Sequence, residues 1–146
     1  MVVKFPYKYY NTNVKQQIIG DSERDVTMEQ KYQIGTISGK IIWDVEKIQK
    51  DISQYVIKEY NTFQLLEENP FYGNEQYAMS TDISIPLIVV ELKKGKEKLI
   101  DGNHRLFKAN KSGHKTIAAH YLSEEEHKKY IVEYDEKLYE KIVEEF

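Results

Sequence analysis

The sequence contains no cysteine. A disulfide framework, a thiolate zinc site and cysteine nucleophile chemistry are thereby excluded. Proline is scarce at three copies and glycine numbers seven, so the chain has few obligatory breaks and no low-complexity linker. Positive charge is not in excess: 21 Lys and Arg stand against 24 Asp and Glu, for a net charge of −3. That balance does not supply a broad basic surface for duplex nucleic acid, although a local basic pocket is compatible with it. No apolar run approaches the ~20 residues of a membrane span. The opening residues, MVVKFPYKYYNTN, lack the apolar core of a secretory leader. No membrane partner and a cytoplasmic location are the expectation.

What is present is the composition of an ordinary folded domain. The 146 residues are 40% hydrophobic and 31% charged, enough for one core without staples. The twelve tyrosines are scattered, as half-buried packing residues are. No internal repeat is visible.

Residues 1–30 carry few signals beyond Pro6 and the polar run GDSERD, and form an extra N-terminal segment of arm and loop in this reading. QKYQIGTISGKIIWDV reads as two strands about the Ser38-Gly39 turn. Asp44 stands where a helix N-cap belongs. Behind it Val45, Ile48, Ile52, Tyr55 or Val56, and Glu59 or Tyr60 recur near a 3.6 period, which predicts an amphipathic helix over 45–61. A short helix over 63–68 must stop before Pro70. ISIPLIVVEL is a buried strand with Pro86 near its start, KKGK a hairpin loop, and EKLIDG a second strand. NHRLFKANKSG is a short helix stopped by Gly113, and TIAAHYL a third strand. Ser123 and Glu126 have capping-box spacing and open a C-terminal helix predicted over 123–146. The fold class expected is α+β: a small mixed sheet flanked by helices, in a single domain over 1–146.

The chemistry gathers in LIDGNHRLFKANKSG. Gly102 allows a sharp turn and a close backbone approach to a ligand. The first amides of the helix behind it have no internal partner and carry the positive dipole end, which suits an anion. His104 and Arg105 add donors at the same place; the Arg fork matches phosphate oxygens, and His can donate or move a proton. Asp101 could hold a metal ion, orient His104 or Arg105, or serve as a base. The same residues also fit a plainer reading, in which Asp101 or Asn103 caps the helix and Arg105 pairs with a carboxylate. His114 reads as a loop residue, His120 as a strand residue and His127 as a solvated helix residue. None has the His-Glu-x-x-His spacing of a metal site.

The span IPLIVVELKKGKEKLIDGNHRLFKANKSGHKTIAAHYL resembles the ParB/sulfiredoxin superfamily. The shared pattern is a Pro-led strand, a hairpin, a strand ending in a Gly-x-His-Arg type box, a short helix, Gly and a final strand. The box is closest to those of sulfiredoxin (Gly-Cys-His-Arg) and of the archaeal free-serine kinase (Asp-Gly-His-His-Arg). DVEKIQKDI is similar to an upstream sulfiredoxin helix. That helix carries a Ser and a Thr where this chain has Lys50 and Gln54. The resemblance covers residues 41–132.

It implies nucleotide binding. Gly102, Asn103, His104 and Arg105 take the phosphate role by position, and Lys47 the upstream one. Sulfinic-acid repair is excluded, because Asn103 stands where sulfiredoxin needs its nucleophilic Cys. The helix-turn-helix domain that follows this module in ParB has no room after the last strand. Three readings of function remain. The first is an enzyme that hydrolyses a nucleoside triphosphate or transfers its phosphoryl group, with Mg²⁺ bridging phosphates. There Asp101 and His104 are the catalytic candidates, Asp101 the Mg²⁺ ligand, and Glu46 a weaker base. The second is a ParB-like nuclease or nucleic-acid module, helped by the basic stretches KKGKEK and KANKSGHK but not by the net charge. The third is a non-enzymatic regulatory binding protein.

Overall fold

The computed structural model describes residues 30–146; the arm and loop expected over 1–29 lie outside them. Strands β1 (Lys31–Thr36) and β2 (Gly39–Asp44) form an antiparallel hairpin with its turn at residues 37–38. Helix α1 (Val45–Lys50) follows directly, and the Asp44 carboxylate accepts from the Lys47 amide at 3.0 Å. A 3₁₀ turn (Ile52–Gln54) leads to β3 (Ile57–Asn61), α2 (Thr62–Glu68) and α3 (Glu75–Ala78). Strand β4 (Leu87–Lys93) starts just after Pro86, and the Lys94-Gly95 turn returns the chain as β5 (Lys96–Asp101). Then come α4 (Asn103–Lys111), β6 (Thr116–Leu122), α5 (Glu124–Lys128) and α6 (Glu136–Glu145).

The described residues form a small α+β unit with two sheets. The larger has the order β3-β6-β4-β5 and is mixed: β4 runs parallel to β6, and the other pairs are antiparallel. Strand β4 is central and buried on both faces. Ile88, Val90 and Leu92 face a core built with Trp43, Ile34, Ile48 and Ile142 from the hairpin, α1 and α6. Leu87 and Val89 face a second core with Leu65, Leu106 and Ala109 from α2 and α4. The alternation of side chains along a strand makes one element serve both layers. Among the described residues no helix is long and apolar enough to cross a membrane.

Two predicted helices are broken. The helix expected over 45–61 stops at Lys50. Its second half becomes β3, paired residue for residue with β6 from Ile57↔His120 to Asn61↔Thr116. Asn61 does not end a helix; its side chain accepts from the Gln64 amide at 2.8 Å and starts α2. The β-branched pair Val56-Ile57 suits a strand, and the ladder to β6 overrides a helical period that the sequence also carries. The helix expected over 123–146 is two helices. Between them Ile131 bridges Trp43, the Val132 amide donates to the Ile42 carbonyl at 2.8 Å, and Glu133 turns through a φ of 54°. The free side of β2 captures this segment. His127 is therefore not solvated: it is fully buried, accepts from Trp43 Nε1 at 2.9 Å through Nδ1, and meets the Glu91 carbonyl at 2.9 Å through Nε2.

Candidate functional site

The junction of β5 and α4 is built as the sequence suggests, with one added reason for its glycine. Gly102 has a φ of 102°, in the left-handed region, and its carbonyl accepts the first helical bond from Leu106 N at 2.9 Å. A Cβ there would lie 2.4 Å from Leu87 Cδ2 and 3.1 Å from an Arg105 terminal nitrogen. Glycine is needed because the turn packs against the start of β4 as well as for its backbone conformation. No side chain caps this helix, so the capping reading of Asp101 or Asn103 does not hold.

Asp101 and Arg105 are both buried, at 7% and 3% exposure, and form an ion pair at 3.5 Å. The turn through Gly102 into the first turn of α4 brings residue 105 back beside residue 101. Asp101 also accepts from Gln30 Nε2 at 3.0 Å and Gln49 Nε2 at 3.1 Å, one on each oxygen. Arg105 donates to the Pro86 carbonyl at 3.3 Å. Asp101 thus holds the guanidinium in place, which is one of the three roles its position allowed.

Asn103 and His104 point to different tasks. Asn103 clamps the Tyr72 backbone, donating to its carbonyl at 2.6 Å and accepting from its amide at 3.5 Å. The His104 ring meets Tyr77 and Phe71 edge-on, at 4.8 and 5.7 Å between centroids. A Cβ on Gly73 would come within 2.9 Å of His104 Nε2. Burial, and then the Arg105 charge, push the His104 pKa down, against an opposing pull from Asp101. Packing among aromatics thus disfavours the charged form of the ring. These two side chains fasten the segment around Phe71–Gly73 to the start of α4.

Asp101 and Arg105 instead line a cleft of about 290 Å³. Gln49, Thr81, Asp82 and His120 share its wall, with an apolar side from Ile52, Ile85, Pro86 and Ile88. His120 Nδ1 lies 3.0 Å from the Tyr55 carbonyl, which ties one ring nitrogen to the backbone. Asp82 is exposed; hydrogen bonds from the Ser84 hydroxyl at 2.6 Å and amide at 2.9 Å hold its carboxyl below the usual range. Lys47 does not line the cleft. Two residues are ~200° around a helix, so α1 turns Gln49 toward Asp101 and leaves Lys47 exposed on its far side. Glu46 lies 3.9 Å from Lys50, an ordinary i,i+4 pair.

Sequence reasoning thus found Asp101, Gly102 and Arg105 together, and missed Gln49, Asp82 and His120. No local signal marks those three, because they arrive from α1, a loop and β6. Among the described residues no group of three or more His, Asp or Glu could hold a metal ion. The two cleft carboxylates, Asp82 and Asp101, suffice for Mg²⁺ only if a ligand's phosphates complete the shell. No protein-family model matches the chain, and no curated protein or solved structure matches it significantly.

Proposed function

We propose that the chain binds the phosphates of a nucleoside triphosphate in the cleft beside Arg105 and acts on them as a phosphotransferase or hydrolase. The observation that carries this reading is the Arg105 guanidinium: it sits on the cleft wall, held by Asp101 and the Pro86 carbonyl, next to the N-terminus of a nine-residue helix. An arginine positioned in advance loses little freedom on gripping an anion. Dipole and side chain then act on the same charge. The apolar side formed by Ile52, Ile85 and Pro86 suits the face of a base or sugar. The resemblance of the Asp-Gly-Asn-His-Arg box to ParB/sulfiredoxin boxes points the same way.

Roles within the site follow from contacts. Arg105 binds and orients phosphate oxygens. Asp101 and Gln49 are positioning residues, since they fix Arg105 and each other. Asn103 and His104 position the helix start through the segment they fasten. The exposed Asp82 is the better carboxylate for a Mg²⁺ ion carried in by the nucleotide, because Asp101 is already occupied by Gln30, Gln49 and Arg105. Bound Mg²⁺ would neutralise phosphate charge, the main task in phosphoryl transfer.

The occupation of Asp101 also favours a second reading, in which the cleft holds a nucleotide without turning it over. Calorimetry with ATP, CTP and GTP in Mg²⁺ tests binding, and release of inorganic phosphate separates the two readings. At least one nucleotide binds below millimolar concentration in this account, and Arg105→Lys weakens it about tenfold through loss of the fork. No binding by the folded protein at millimolar nucleotide removes the proposal.

A further inference from the structure

A second cavity, of about 550 Å³, shares no lining residue with the cleft. Its volume falls in the range of small-molecule sites, about 300–1,000 Å³. Lys98 of β5 is on its wall and is only 3% exposed. Lysine is almost never so buried. The ammonium form loses its hydration there, and burial pushes the Lys98 amine down to about 7. Its Nζ donates to Asn69 Oδ1 at 2.9 Å, an oxygen that also accepts from the Leu99 amide at 3.3 Å. A neutral amide oxygen fixes the nitrogen without requiring it to be charged. The Phe146 ring, 5.4 Å away, favours the cation modestly and works against burial. The other charged or titratable side chains among its lining residues are Lys96, Glu97, Glu68 and Tyr60. Tyr60 Oη donates to Glu97 Oε1 at 2.9 Å, and burial together with that carboxylate pushes the Tyr60 hydroxyl well above its ordinary pKa.

We propose that Lys98 is a carbonyl-reactive amine, forming an imine with a small aldehyde or ketone that enters this cavity. The Nζ lone pair adds to the carbonyl carbon, and the carbonyl π pair moves to oxygen. That oxygen takes a proton as the nitrogen gives one up. The resulting carbinolamine expels water while the nitrogen lone pair closes the C=N bond. One amine and one carbonyl become one imine and one water, with no oxidant or reductant. Solvent water carries the two proton transfers. A lysine activated by desolvation is a recurring nucleophile in such chemistry.

The test uses the full chain with propanal and cyanoborohydride at pH 7, followed by mass mapping of every lysine peptide. An exposed lysine is uncharged in roughly one molecule in two thousand at that pH. Lys98 is therefore expected to be alkylated at least about tenfold faster than the exposed Lys47 and Lys111, even with restricted access. Lys98→Met should abolish that fast phase. Alkylation of Lys98 no faster than of Lys47, or a fast phase surviving in Lys98→Met, overturns the proposal. Should Lys98→Met fail to fold, the wild-type map decides by itself in the same two ways.

Discussion

Arg105 and Asp101 are buried together, and their stability effect follows from what each would leave behind. A buried ion pair adds little over an apolar pair, but removing one partner strands a charge at about 3–5 kcal/mol. Arg105→Ala should therefore lower unfolding free energy by about that amount in urea titration, and Arg105→Lys by clearly less. An equal loss in the two variants would mean that the charge is not what matters. His127 gives a second residue-scale expectation. It is fully buried between Trp43 and the Glu91 carbonyl, and burial pushes it down from 6.5 to about 4. The unfolded chain takes up this proton near 6.5 and the folded chain only near 4. Between those values the unfolded state binds more protons, so stability falls as pH drops from 6.5 to 4. The contribution is roughly 3 kcal/mol at most. Urea midpoints at pH 7 and pH 4.5 measure it, and His127→Gln should lose less across that interval than wild type does.

The β5–α4 junction makes the element-scale case. Gly102→Ala meets two penalties, a left-handed backbone and a contact of 2.4 Å with Leu87 Cδ2. Together these are expected to cost about 3 kcal/mol or more, seen as a lower denaturation midpoint with an unchanged slope. At α5 the reciprocal bonds of Ser123 and Glu126 are both formed, at 3.2 and 2.8 Å. Ser123→Ala should cost about 1 kcal/mol, which the same titration resolves. Both elements were legible in the sequence because their causes are local: a glycine between strand and helix, and a serine three residues before a glutamate. The strands around Pro86 and the Lys94-Gly95 turn were legible for the same reason. Strand β3 was not, because its ladder partner β6 lies some sixty residues ahead. The break before α6 was hidden likewise, since the segment that interrupts it is bonded to β2. Each misread stretch carried a helical period that a distant strand overruled.

At the scale of the whole molecule, the four-stranded sheet sets what can meet. It places Asp101 and Arg105 beside Gln49 of α1 and His120 of β6, neither of which is close in sequence to that pair. The box itself was readable; the cleft that it lines was not. Within one helical turn, Asn103 and His104 fasten the segment near Tyr72 while Arg105 reaches the cleft. The sheet also sends Lys98 to a different cavity. Net charge gives no guide to either place, because both depend on one or two buried cations within an acidic chain.

The most direct measurement is a residue-resolved amide NMR titration of the full chain with Mg²⁺ and ATP, CTP or GTP in turn. The account predicts saturable shifts for at least one nucleotide, centred on Gly102, Asn103, His104 and Arg105 and extending to Thr81, Asp82 and His120. No shifts at millimolar nucleotide, or shifts centred on Lys98 and Tyr60 instead, would contradict it.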